Sequence, residues 1–362
     1  MISIILGTRP EIIKMTPVIR ACLKTGTEFS VLHTGQHYSY DMDRIFFEEL
    51  DLPAPEFCLD IGSGTHAEQT GKSMIGIEKI LMANRPEIVL VQGDTNTVLA
   101  GSLAASKLNI PLGHVEAGLR SYDRRMPEEV NRVVADHLSD FLFTPTAISR
   151  NYLLNEGIDE KKILVTGNTI VDAVSQNREI SNTRTKILDN LGITPNNYFL
   201  VTAHRAENVD IAERLGEIMC ALSRLQKQYS LPVIFPVHPR TRKMLSDFRI
   251  PTDGINILSP VGYLDFLELE AHASLVLTDS GGVQEECCIL HVPCVTMRLN
   301  TERPETIDIG ANLLAGTDVD AIVRAVDKMI IIDRKWKNPY GDGKAGERIV
   351  EFCKKTCTNK TN

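Results

Sequence analysis

Short apolar runs rich in β-branched residues alternate with longer amphipathic stretches from one end of the chain to the other. This alternation limits the fold more than any other feature, because it is the pattern of βαβ units and parallel sheets. Strands are expected near 2–6, 29–34, 87–92, 111–115, 140–143 and 163–166. A second series is expected near 198–202, 232–237, 255–258, 274–278, 293–297 and 312–314. Two runs of six strands make an α/β protein of two Rossmann-like, doubly wound parallel sheets. A chain of 362 residues is also too long for one typical core. The polar stretch Ser181-Asn182-Thr183-Arg184 lies in the gap between the two series. The expected domains are therefore 1–167 and 168–342, with a helix in 343–362 returning to the first domain after the turn Asn338 to Gly343.

Composition narrows the function by exclusion. The hydrophobic fraction of 43% and charged fraction of 24% rule out a disordered or fibrous chain. The formal charge is −8 and no Lys/Arg block occurs, so nucleic acid is not the expected partner. The N-terminus reads as a first strand rather than a signal peptide, and no apolar run approaches the roughly 18 residues that a bilayer span needs. A cytoplasmic location and no membrane partner are expected. The eight Cys are scattered without a zinc or redox spacing, so no metal is expected.

In open α/β sheets ligands bind beyond the carboxyl ends of strands, so the residues just after each strand carry the chemistry. The stretch Thr278 to Glu286 follows the apolar run Ser274-Leu275-Val276-Leu277. Its Ser280-Gly281-Gly282 turn opens a helix, where free N–H groups attract an anion and glycine leaves room for one. An ordinary βα turn with a Ser cap is the structural alternative. At the first strand, Gly7-Thr8-Arg9-Pro10-Glu11 opens a helix with Lys14 one turn in; two cations beside a helix N-terminus suit an anion rather than the helix dipole. Asp94 follows the strand 88–92 as a candidate N-cap or acid. Glu116 follows the strand 111–115 with no evident structural need, and Glu128 and Glu129 sit in a helix first turn. Carboxylates from three neighbouring loops form an acid/base cluster in which crowding raises a pKa. In the second half His204, Arg205, His238 and Arg240 stand at successive strand ends, as in a pocket for phosphate. The loop 260–266 adds aromatic faces for a base.

Seven stretches in register, Gly7 to Glu11, Gly93-Asp94-Thr95, His114 to Arg120, Pro127-Glu128-Glu129, Thr278 to Glu286, Glu302-Arg303-Pro304-Glu305 and Asn338 to Gly343, resemble the non-hydrolysing UDP-N-acetylglucosamine 2-epimerases over residues 1 to about 350. The resemblance implies a glycosyltransferase-B-like fold with the active site in the interdomain cleft, and a homodimer. It implies reversible epimerisation of UDP-N-acetylglucosamine to UDP-N-acetylmannosamine by elimination of UDP to 2-acetamidoglucal and re-addition, in the supply of cell-surface polysaccharide precursors. By position it assigns Asp94, Glu116 and Glu128 as catalytic acids and His204 as a group assisting UDP departure. It places Arg9 and Lys14 on the substrate from the first domain and Ser280, Gly281, Gly282 and Glu286 at the diphosphate and ribose. Arg303 falls on the sugar side, and Val261 and Phe266 on the uracil. Gln36, His37 and His238 resemble part of a regulatory UDP-sugar site, although Pro239-Arg240-Thr241 departs from the family pattern there, as Cys287-Cys288 does just after Thr278 to Glu286.

No cofactor is implied, since elimination and re-addition move no hydride. Three rival readings stay open on sequence: a hydrolysing epimerase that releases free N-acetylmannosamine, a UDP-sugar transferase of the same fold, and a non-catalytic nucleotide-sugar sensor. The fold alone does not choose among them. The carboxylates of the first half favour the epimerase.

Overall fold

The structure, a computed structural model, describes residues 1–35 and 40–358. The chain divides into two compact units, Met1–Gln176 together with the segment from Tyr340 onward, and Asn177–Pro339. Each unit is a parallel sheet with helices between successive strands. The strands of the first are β1 (Ile2–Leu6), β2 (Phe29–His33), β3 (Phe57–Cys58), β4 (Ile88–Gln92), β5 (Leu112–Val115), β6 (Phe141–Thr144) and β7 (Ile163–Val165). Those of the second are β8 (Phe199–Thr202), β9 (Val233–Pro236), β10 (Ile255–Leu258), β11 (Leu275–Thr278), β12 (Cys294–Thr296) and β13 (Asn312–Leu314). The first sheet has seven strands where six were expected. The extra one, β3, has only two residues, too short to leave an apolar run.

The spatial orders are β3-β2-β1-β4-β5-β6-β7 and β10-β9-β8-β11-β12-β13. Both carry the doubly wound 3-2-1-4-5-6 order, so each has a switch point where connections diverge, between β1 and β4 and between β8 and β11. At the first, Ile4 is in register with Val31 on one side and Leu90 on the other. At the second, Leu277 lies between Val201 and Val295. Central strands such as β1, β4 and β11 are buried along their whole length, because helices cover both faces; this is why they read as unbroken apolar runs. The second unit has two apolar cores, one around Phe199, Leu222 and Leu277, the other around Tyr198, Leu269 and Val276.

Local chemistry sets the helix starts that matter below. Thr95 caps helix Asn96–Lys107 by accepting from the Val98 N–H at 3.3 Å. Pro10 and Pro127 occupy first-turn positions of helices Arg9–Thr25 and Pro127–Leu138, where their missing N–H costs nothing. Helix Ala345–Thr358 belongs to the first unit: Asp172 accepts the N–H groups of Ala345 and Gly346 at its start, and Phe352 meets the rings of Phe141 and Phe143 edge-on. Among the described residues no helix is long and apolar enough to cross a membrane.

Candidate active site

In the first unit the candidate residues stand on both sides of the β1/β4 switch point. Glu11, in the first turn after β1, accepts the Gly7 N–H at 2.9 Å and the Thr95 hydroxyl at 2.8 Å. It therefore ties the turn after β1 to the turn after β4. Burial pushes its carboxyl up to about 7, against the opposing pull of hydrogen bonds from Thr8, Thr95 and Gly7. Arg9 lays its guanidinium over the Phe46 ring at 4.6 Å. Lys14 is buried one turn further, with Nζ 2.7 Å from both oxygens of Glu116, and Gln92 donates to the same carboxylate.

Glu116 follows β5 with φ +69°, the left-handed region that costs a residue with a Cβ roughly 1–2 kcal/mol. Its N–H still reaches Phe143 O at 3.0 Å. Asp94 is not the helix cap, since Thr95 serves there. Its carboxylate instead pairs with Arg132 at 2.9 Å and is one-third exposed, while Asn131 donates to its backbone oxygen at 2.9 Å. The two neighbouring glutamates of helix Pro127–Leu138 divide the work. Glu129 holds the preceding loop by accepting from Ser121 and Tyr122, and it faces Arg132 at 3.3 Å. Glu128 is half-buried and has no hydrogen-bonding or ionic partner among the described residues.

In the second unit the candidates flank the β8/β11 switch point. Helix Gly281–Leu290 starts at Ser280, whose side chain makes no cap. The Ser280 N–H donates to Thr278 Oγ1 at 2.9 Å, and the first helical bond is Gln284 N–H to Ser280 O. The first-turn N–H groups are thus left for an anion. A Cβ on Gly281 would meet nothing nearer than Arg303 and Glu302 at 3.8 Å, and one on Gly282 only Ser280 Oγ at 3.9 Å. Neither glycine has a positive φ. Packing and backbone conformation do not call for glycine at either position.

Arg303 flanks that helix end and is held by Glu285, with Nε 2.6 Å from Oε1. Glu302 beside it is clamped by Arg298; burial raises its carboxyl, but Arg298 outweighs this and brings it down to about 2. Asp279, fully buried, accepts the N–H groups of His204 and Arg205 at 3.0 and 2.9 Å, and it lies 3.2 Å from His204 Nδ1. It fixes the turn after β8 against the turn after β11. The His204 side chain remains nearly half exposed. Glu286 is buried and accepts from the Tyr263 hydroxyl at 3.1 Å. Val261 and Phe266 are partly buried against the core around Leu269.

Two expectations change. Tyr263 is no stacking face, because it begins helix Tyr263–Ala271 and is buried with its hydroxyl on Glu286. His238 caps helix Pro239–Asp247 by accepting the Arg240 N–H, and the Arg240 charge is taken by Asp210, so this strand end does not add a phosphate pocket. Gln36 and His37 lie outside the described residues. Among the described residues no group of His, Cys, Asp and Glu could hold a metal ion. Sequence reasoning left Glu11, Arg132 and Asp279 without roles. Glu11 and Asp279 lie inside the motifs named above and had a detectable signal, a carboxylate in the turn after a strand; the pairing of Arg132 with Asp94 had none, because the two are distant in sequence.

Two doubly wound parallel sheets, one with carboxylates at the carboxyl ends of its strands and the other with a glycine-opened helix there, define a glycosyltransferase-like fold. A solved glycosyltransferase from Rickettsia africae has the same fold, with TM-score 0.53 at 15% identity over 99% of this chain and 93% of that one. The family model for UDP-N-acetylglucosamine 2-epimerase matches residues 20–354, and the chain belongs to that family. The UDP-N-acetylglucosamine 2-epimerase of Methanocaldococcus jannaschii is 57% identical over 97% of this chain and 98% of its own length. A crystal structure of the UDP-GlcNAc 2-epimerase of that organism, in complex with UDP-GlcNAc and UDP, aligns with TM-score 0.92 at 56% identity, covering 98% of this chain and 99% of that one.

Proposed function

We propose that the protein interconverts UDP-N-acetylglucosamine and UDP-N-acetylmannosamine without hydrolysis, as a homodimer that supplies precursors of surface polysaccharide. The observation that carries the substrate class is the turn at Ser280, whose two glycines the protein's own packing does not need and whose helix end is uncapped. In this reading those N–H groups hold the diphosphate, Glu286 the ribose hydroxyls, Val261 and Phe266 the uracil, and Arg303 lies on the sugar side. Arg9 and Lys14 act on the substrate from the first unit.

The chemistry follows from the sugar. C2 has no carbonyl beside it, so its proton is not acidic enough for a base alone. Loss of that proton is therefore coupled to cleavage of the C1–O bond: the C–H electron pair forms the C1=C2 bond and the C1–O pair leaves on UDP. A proton delivered to the opposite face of C2, with attack of the UDP oxygen on C1, completes the inversion. Glu128, without a hydrogen-bonding or ionic partner among the described residues, is suited to proton transfer at C2. Asp94 lies beside Arg132 and Glu116 beside Lys14, so these two carry negative charge to positive character developing at C1. His204, exposed and anchored by Asp279, assists the departing diphosphate.

The deciding experiment is incubation with UDP-N-acetylglucosamine in D₂O followed by NMR. UDP-N-acetylmannosamine carrying deuterium at C2 is the expected product. Free N-acetylmannosamine would replace this reading with the hydrolysing reaction, and an unchanged substrate would return the choice to a transferase or sensor.

A further inference from the structure

His114 lies in β5, fully buried, and the reaction just described gives it no role. Its ring is held at both ends. Nδ1 is 2.7 Å from Asp136 Oδ1 and Nε2 is 2.8 Å from the Gly93 carbonyl oxygen. A carbonyl oxygen only accepts. Asp136 also only accepts: it already takes the Gly118 N–H at 3.2 Å and lies 2.7 Å from Arg120. Burial raises the Asp136 carboxyl, but the His114 ring and the Arg120 guanidinium outweigh burial and keep it below its ordinary value. A neutral imidazole has one N–H and could serve one of these acceptors, whichever tautomer it adopts; two N–H groups serve both.

We infer that His114 is a positioning residue, held doubly protonated in the core, whose ring ties the turn bearing Asp94 to the helix bearing Glu128. The elements it joins are those of the catalytic carboxylates. Gly93, with φ +83°, immediately precedes Asp94. Asp136 sits on helix Pro127–Leu138, and through the Gly118 N–H it also holds the turn that follows Glu116. The same helix reaches the Asp94 turn twice more, through Asn131 and Arg132. Signs alternate outward from the ring, His114 to Asp136 to Arg120, and Arg120 to Glu156 by two bonds of 2.7 Å. A cation here is therefore compensated rather than isolated. Without the ring, Asp136 and the Gly93 carbonyl lose their common donor, and the three carboxylates lose a shared frame.

The kinetic consequence rests on the epimerase reading; the protonation state does not, so the test has two arms. In the first, the full chain with ¹⁵N-labelled histidine is studied by NMR near neutral pH, and His114 is assigned through contacts of its ring protons with Gly93. Two slowly exchanging ring N–H groups are expected, and a singly protonated ring overturns the inference without any variant. In the second, His114→Gln should lower kcat about 100-fold, the usual cost of misplacing catalytic groups by about an ångström, while calorimetric UDP affinity stays as in the wild type. Unchanged kcat, or UDP binding lost in parallel with turnover, overturns the positioning role. Should the wild-type protein fail to turn over UDP-N-acetylglucosamine, the epimerase reading falls while the NMR arm still decides the state of His114.

Discussion

The contrast between Glu128 and Glu129 is informative at the scale of single residues. Both occupy the first turn of one helix, where the dipole welcomes either, yet Glu129 is committed to the backbone of the preceding loop and Glu128 has no hydrogen-bonding or ionic partner among the described residues. Glu128→Gln should therefore lower turnover by about 10²- to 10⁴-fold with melting temperature and UDP affinity unchanged; a variant that melts earlier would mean the side chain is structural. Glu11 leads to a prediction about pH. Its carboxyl is raised by burial from 4.5 to about 7, so the folded chain keeps a proton that the unfolded chain releases. The resulting stabilisation is complete below pH 4.5 and lost as pH rises through 7, a loss of about 3 kcal/mol at most. Denaturant titrations across this range should record the decline in the wild type and a flatter profile in Glu11→Gln.

For the elements, what matters is how strand ends are joined. Glu11 links the turns after β1 and β4, and Asp279 links those after β8 and β11, so a buried carboxylate bridges the switch point in each sheet. Helix Gly281–Leu290 separates function from stability most cleanly. Because its first two glycines have helical backbone and open surroundings, Gly281→Ala should leave folding stability within about 1 kcal/mol of the wild type. The added methyl group should nevertheless obstruct the approach of a diphosphate and cost one charge-assisted hydrogen bond, weakening UDP binding about 10- to 100-fold. Calorimetry with UDP beside a melting curve tests both halves; wild-type affinity in Gly281→Ala would remove the phosphate cradle.

At the scale of the whole molecule the chain leaves the first unit, builds the second, and returns to finish the first with helix Ala345–Thr358. The return is closely fitted. A Cβ on Gly346 would lie 2.7 Å from the Pro17 backbone carbon, and backbone cannot move aside as a side-chain tip can. Gly346→Ala should therefore destabilise the protein by about 1–3 kcal/mol, read as a lower melting temperature, whereas substitution at the exposed Lys355 should not. Much of the architecture was legible beforehand, because strands covered on both faces must be apolar throughout: twelve of the thirteen strands left such a run, and only the two-residue β3 was too short to do so. The strand-end motifs were legible for a related reason, since glycines and carboxylates at the carboxyl edge of a parallel sheet are seldom needed for packing. What the sequence determined by itself was thus the succession of elements and the roster of candidate groups, both written in local order. Which carboxylate is spent on the protein and which is left for a ligand was decided only by tertiary structure. Glu116 with Lys14, Asp94 with Arg132 and His114 with Asp136 are partners distant in sequence, and the long-range packing that brings such charges together leaves no periodic trace in the chain.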